Sequence, residues 1–153
     1  MAEYLNLDIL TPNGRVDLRL VEGGSPERSI STIPVEAVDL PAALGEMGVR
    51  PGHIPFLTPV VPGVVRFRFE GEDRRLAVGT GFLEISGDGT VTLLTSRVQR
   101  SWEVDVAAVR EELATIDEEL EKRASAPIDD AEVVKLKDRR AWLDAQLEAA
   151  KAA

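Results

Sequence analysis

The hydrophobic period of this chain changes once, at Asp105, and the change restricts the chain to two unlike parts. Before it, apolar residues alternate: Leu5, Leu7 and Ile9, then Val16, Leu18 and Leu20 after Asn13-Gly14, and later Val65, Phe67 and Phe69 against Arg66, Arg68 and Glu70. A period of two belongs to half-buried strands, and Asn-Gly is a strong hairpin signal. After it, Val109, Leu113, Ile116 and Leu120 recur at gaps of four, three and four, which is one face of a helix.

Further short strands are expected at Val35 to Leu40-Pro41, Leu76 to Val78, Phe82 to Ile85 and Val91 to Leu94. Turn chemistry at Gly71-Glu72-Asp73 and Ser86-Gly87-Asp88-Gly89 separates them. Gly79-Thr80-Gly81 interrupts a strand pattern, so a bulge or a close backbone approach is expected there. About ten short strands at regular spacing predict an antiparallel β-sandwich over residues 1–100. Arg19 to Ile33, with Gly23-Gly24-Ser25-Pro26, has loop composition, and added loop length costs only ~0.6 kcal/mol per doubling.

Residues 104–153 predict a two-helix antiparallel hairpin. Asp105 suits an N-cap, Ser125-Ala126-Pro127 stops the first helix, and Asp129 with Glu132 reads as a capping box for the second. Val133, Leu136, Leu143, Leu147 and Ala150 form its stripe. Glu111, Glu112, Asp117, Glu118, Glu119 and Glu121 crowd the first helix, whereas Lys135, Lys137, Arg139 and Arg140 open the second. Arg140 interrupts the apolar stripe, and its stem is expected to cover apolar surface while its head reaches water or the acidic first helix. The class is therefore α+β.

With 153 residues the chain can bury a real core, and without cysteine it has no disulfide and no thiol chemistry. A net charge of -9 argues against binding nucleic acid or anionic lipid. The acidic N-terminus has no signal-peptide pattern, and no apolar run approaches membrane-spanning length.

Gly45 to Thr58 holds the single histidine. Arg50-Pro51-Gly52-His53 has type II turn chemistry, with Pro51 presetting φ and Gly52 accepting a positive φ, while Ile54 before Pro55 is pushed to an extended conformation. The expected product is a stiff corner shaped by Gly45, Pro51 and Gly52 and presenting Glu46 and His53. Catalysis has little to work with: no nucleophile elbow, phosphate loop or metal-ligand spacing is present, and glycines 79 and 81 do not precede a helix. Two readings of the residues stay open at this point. One is an adaptor whose helical hairpin binds a partner; the other is an enzyme using Glu46 and His53 as an acid/base pair.

Leu40-Pro41, Gly45-Glu46-x-Gly48-Val49-x-Pro51-Gly52-His53-x-Pro55, Leu57-Thr58 and Pro62-Gly63 together resemble the signature of the epsilon subunit of bacterial rotary ATP synthases, called delta in mitochondria. The resemblance continues through Gly79-x-Gly81-Phe82-Leu83-Glu84-Ile85 and Val91-Thr92-Leu93-Leu94. It implies a non-catalytic rotor subunit of a proton-translocating ATP synthase. Such a subunit links the gamma shaft to the membrane c-ring and inhibits ATP hydrolysis at the catalytic head through its C-terminal helices. It would be peripheral on the cytoplasmic face of the bacterial plasma membrane, held there only through the complex.

By the same resemblance Glu46 faces the ring loops and His53 faces gamma, with Met47, Val49 and Arg50 as flanking interface residues. Lys135, Lys137, Arg139 and Arg140 become regulatory contacts. No cofactor is implied. Some members bind ATP through an I/L-D-x-x-R-A motif, here Leu136-Lys137-Asp138-Arg139-Arg140-Ala141. Lys137 stands in place of the Asp, which leaves Arg140 as the one nucleotide contact the resemblance supplies and speaks against tight ATP binding.

Overall fold

A computed structural model describes residues 4–25 and 32–151. Residues 1–3 of the acidic N-terminus, 26–31 of the expected insertion and 152–153 at the end of the hairpin lie outside the described residues.

The strands are β1 (Leu5–Thr11), β2 (Gly14–Arg15), β3 (Ile33–Val35), β4 (Ala37–Ala42), β5 (Gly45–Val49) and β6 (Phe56–Val60). They continue as β7 (Gly63–Phe69), β8 (Glu72–Val78), β9 (Gly81–Ile85), β10 (Thr90–Thr95) and β11 (Val98–Arg100). A 3-10 turn at Ser101–Glu103 leads to α1 (Val106–Lys122) and α2 (Ala131–Ala150). The hydrogen-bonded order is β11-β8-β7-β4-β6-β9-β10-β1-β2, with β3 on β1 and β5 on β4. β4 and β6 share one residue pair, Ala42 with Val60, so the sheet folds over there into two layers.

The expected all-antiparallel sandwich needs one correction: β1 and β10 run parallel, Asn6 beside Thr90 through Leu10 beside Leu94. Hairpin turns force antiparallel neighbours only between strands close in sequence. β1 and β10 are joined by most of the domain, a crossover long enough for parallel pairing.

Two local expectations also shift. Val16, Leu18 and Leu20 do not form a strand. The Asp17 carboxylate accepts the Arg19 N–H at 3.0 Å, and the Leu18 and Asp17 carbonyls accept from Arg74 and Arg100 at 3.0 and 2.8 Å. Side chains satisfy several of that segment's polar groups in place of a strand partner, and Leu18 enters the core with Val16 packed half-buried against it. The β7–β8 turn is Glu70-Gly71, with φ of 52° and 78°, and not Gly71 to Asp73. Both residues take the positive φ of a tight hairpin turn, so Glu72 and Asp73 already belong to β8 and pair with Phe69 and Arg68.

Alternate residues from both layers fill the sandwich core, among them Leu7, Ile9, Val38, Leu40, Val65, Phe67, Leu83, Ile85, Val91 and Leu93. No helix residue contributes to it. The close approach expected at Gly79 to Gly81 is present: a β-carbon on Gly81 would collide with the Leu94 carbonyl. Thr95 Oγ1 donates to the Gly79 carbonyl at 3.0 Å and fixes the crossing.

Asp105 caps α1 by accepting the Ala108 N–H at 3.1 Å. Asp130, not Asp129, caps α2, accepting from Glu132 and Val133 at 3.0 and 3.2 Å. A turn closed by the Asp130 N–H on the Pro127 carbonyl moves the cap one residue on. Val109, Leu113, Ile116 and Leu120 then pack against Leu136, Leu143 and Leu147, the stripes read from the sequence. α2 carries a second apolar face that the sequence reading missed: Trp142, Ala145 and Ala149 lie on Val64 of β7 and Ala77 of β8. The small residues let the helix approach the sheet, and Trp142, 4% exposed, anchors it.

Candidate partner-docking face

β6, β9, β10 and β1 lie side by side, and register aligns their outward residues into rows. Pro59 stands beside Phe82, Phe82 beside Leu94, and Leu94 beside Leu10. Strand alternation sends Leu83, Ile85, Val91 and Leu93 into the core, which leaves this apolar row outside. Phe82 is 55% and Leu94 53% exposed. In the next row Leu57, 68% exposed, meets Glu84 and Thr92, and Asp8 beside Thr92 is clamped by Arg15 at 2.7 and 2.9 Å. A contiguous apolar row with a polar border is the composition of a protein-binding surface.

His53 lies in the turn that leads into β6, the strand at one side of this face. Its turn has the expected geometry: Gly52 has φ of 88°, and the His53 N–H donates to the Arg50 carbonyl at 3.1 Å. The His53 ring stands edge-on to Phe56 with centroids 6.3 Å apart, and Nδ1–H donates to the Ile54 carbonyl at 2.7 Å, which fixes the tautomer. The imidazole is thus held half-buried against exposed Phe56, next to exposed Ile54.

The single corner expected to present Glu46 and His53 together is not formed. Glu46 lies at the start of β5 beside Pro41, and the turn carrying His53 begins after the strand's other end, about 13 Å of extended chain away. Gly45, with φ of 129°, begins β5 beside Ala42, while Pro51 and Gly52 shape the turn at its far end. Glu46 is exposed and meets Arg66 Nη1 at 3.4 Å. Arg50 is exposed and meets Asp39 at 3.3 Å. Val49 is corrected: alternation along β5 turns it into the core, where it is 0% exposed, while Met47 points the same way and stays half-buried against that core. An acid/base pair of Glu46 and His53 therefore has no geometry to act.

The basic run of α2 divides. Arg139 grips Glu112 of α1 with two bonds, 2.7 and 3.0 Å, and Arg140 bridges Asp117 at 2.7 Å and Asp144 at 2.8 Å. The hydrogen bond from Arg139 lowers the Glu112 pKa, and the bond to Asp117 raises that of Arg140. Arg140 thus reaches the acidic first helix as expected, and a phosphate at its head would meet two carboxylates. Lys135 and Lys137 point to solvent and have no ion pair among the described residues. Among those residues no group of His, Cys, Asp and Glu could hold a metal ion, and no helix is long and apolar enough to cross a membrane.

Residues 16–101 match the family described as "ATP synthase, Delta/Epsilon chain, beta-sandwich domain". A protein called ATP synthase epsilon chain from Geotalea uraniireducens is 34% identical over 122 residues, covering 80% of this chain and 78% of that one. Its namesake from Synechococcus sp. (strain JA-2-3B'a(2-13)) is 38% identical over 94 residues, covering 61% and 66%. Among solved structures, a chain of the Euglena gracilis mitochondrial ATP synthase, determined as an OSCP/F1/c-ring assembly, has a TM-score of 0.75. It has 20% identity and covers 98% of this chain and 82% of that one. A chain of the Tetrahymena thermophila mitochondrial ATP synthase central stalk and c-ring has the same fold at a TM-score of 0.56, with 10% identity and 96% of both chains covered.

Proposed function

The chain belongs to the ATP synthase delta/epsilon family, and from that membership we propose a non-catalytic central-stalk subunit that joins the gamma shaft to the membrane c-ring. The single observation that carries this reading is the row Pro59, Phe82, Leu94 and Leu10. It is an open apolar face on a stiff sandwich, suited to a permanent subunit contact. Gamma takes that face, and Glu46, exposed at the other end of β5, meets polar loops of the ring. Torque transmission needs a foot that does not deform, and a packed two-layer sheet with its own core meets that need.

Restraint of hydrolysis falls to the hairpin. α2 is held to the sheet by a small cluster of Trp142, Ala145 and Ala149 on Val64 and Ala77. Another subunit offering an equivalent surface could displace so limited a contact, since two packings of similar free energy form a switch. Once released, Lys135 and Lys137 meet acidic surface on the catalytic head. Arg139 and Arg140 are already committed inside the hairpin and join only if the two helices part.

The adaptor alternative lacks an open helical face, because both apolar stripes of α2 are covered, one by α1 and one by the sheet. The deciding experiment measures ATP hydrolysis by the catalytic head with gamma, with and without this chain, alongside co-purification of the Phe82→Asp variant. The reading expects parent chain to co-purify and slow hydrolysis, and the variant to do neither. A chain that neither binds gamma nor changes hydrolysis overturns it.

A further inference from the structure

A groove of about 530 Å³ runs between the β4–β5 hairpin and the last turns of α2, and its two walls come from the two parts of the chain. Ala42, Val61 and Val64 supply apolar surface on the sandwich side; Ala141 and Ala145 supply it on the helix side. Three carboxylates line it, Glu46 from β5 and Asp144 and Glu148 from α2, against one cation, Arg66. Arg66 stands between the two parts, with Nη1 3.4 Å from Glu46 and Nη2 3.4 Å from Glu148. Both contacts are long, and all three side chains are partly exposed, so neither contact holds its carboxylate firmly. Asp144 and Glu148 are also paired, with Arg140 and Lys151 at 2.8 and 2.9 Å, but those two cations do not line the groove.

We propose that this groove is a composite docking site for a loop of a partner polypeptide that brings a basic side chain to Glu46 and Glu148, and that filling it holds α2 on the sheet. Glu46, whose one ion pair among the described residues is the long contact to Arg66, selects a cationic side chain that Glu148 can share, and the apolar walls accept the stem that carries it. Glu46 is the residue read above as facing the membrane ring, so the inference rests on that reading and names the ring loop as occupant. It goes beyond that reading by bringing the C-terminal helix into the same contact. When α2 leaves the sheet, one wall and two of the three carboxylates leave with it. The occupant therefore binds the docked form more tightly, and by reciprocity its binding favours docking. Engagement of the ring would then keep the hairpin away from the catalytic head.

The test titrates the purified membrane ring of the same synthase, in detergent, against the full chain bound to gamma. Glu148 is half-exposed, so Glu148→Gln is expected to fold, and hydrogen exchange of α2 in the free chain checks that it stays docked. Glu46→Gln and Glu148→Gln should each weaken ring binding about two- to five-fold, less at high salt. Ala141→Lys, which adds a like charge inside the groove, should weaken it further, and adding ring to the parent chain should slow exchange of the α2 amides. If Glu148→Gln and Ala141→Lys bind as the parent does while Glu46→Gln is weakened, the contact is confined to β5: the inference falls and the proposed function stands. If Glu46→Gln also binds like the parent, the ring-facing reading of Glu46 falls with it. Unchanged α2 exchange on adding ring overturns the linkage to docking.

Discussion

The guanidinium of Arg97 lies 4.4 Å from the centre of the Trp142 ring, the contact by which the turn between β10 and β11 closes over the anchor of α2. Burial lowers the Arg97 pKa, repulsion from Arg139 adds to this, and Glu112 opposes it. Glu112 and Arg139 are the residues that hold α1 to α2. The hairpin's internal ion pair and its attachment to the sandwich therefore meet at one arginine.

Trp142→Ala should free α2 from the sheet without unfolding the sandwich. A large buried aromatic is worth about 3–5 kcal/mol when truncated, and here the loss falls on docking, because the sandwich core contains no helix residue. Hydrogen exchange checks it: α2 amides exchange faster in the variant, while those of β9 and β10 keep their protection. Equal protection in α2 would mean that the cluster on Val64 and Ala77 is not what holds the helix.

Phe82→Asp and Leu94→Asp separate surface function from stability. Both side chains are more than half exposed, so the thermal midpoint should move little, by the equivalent of about 0.5 kcal/mol or less. Binding to gamma should fall at least tenfold, because a carboxylate at the centre of an apolar contact loses its water without gaining a partner. A gamma pull-down beside a melting curve reads both. Binding at parental strength would remove this face from the proposed interface.

Much of this was legible in the sequence because local physics decided it. Pro51 and Gly52 dictate their turn in any context, Asp105 caps a helix wherever one begins, and the leucine stripes of α1 and α2 pair because nothing nearer competes. What was not legible depended on pairing between distant segments. The parallel run of β1 beside β10 leaves no periodic mark, and neither does the line of Pro59, Phe82, Leu94 and Leu10, which exists only once four strands are in register. Val49 looked available because it sits in the signature stretch, but alternation along β5 turns it inward. The second face of α2 was present as Trp142, Ala145 and Ala149 at gaps of three and four. Beside Leu143 and Leu147, however, small residues carry a weak signal, and only the sheet beneath them gives them a purpose.

Gly81→Ala tests the crossing of β9 and β10. A β-carbon would enter the space of the Leu94 carbonyl, and backbone on both sides leaves little room to yield. The expected destabilisation is at the upper end of overpacking costs, about 3 kcal/mol. Denaturant unfolding should show the midpoint falling with the slope unchanged. A variant as stable as the parent would show that the crossing can open at no cost.

Acidification should loosen the hairpin through Glu112. Its hydrogen bond from Arg139 depresses its pKa below the ordinary 4.5, so the folded hairpin binds the proton less readily than the unfolded chain does. The stabilisation is therefore complete above the unfolded value and disappears as pH falls through the lower folded one. The Glu112 carboxylate is 41% exposed, which limits the pair to about 1 kcal/mol despite its two bonds. Glu119 and Glu148, with pKa values lowered by Arg123 and Lys151, respond in the same direction, so total helix melting cannot isolate the pair. The difference between parent and Glu112→Gln can. Near neutral pH the parent should melt higher, and the gap should close as the solution is taken below pH 4.5, because the protonated Glu112 and the glutamine are then equivalent toward Arg139. A gap that persists at the acid end would assign the effect to packing of the side chain and not to its charge.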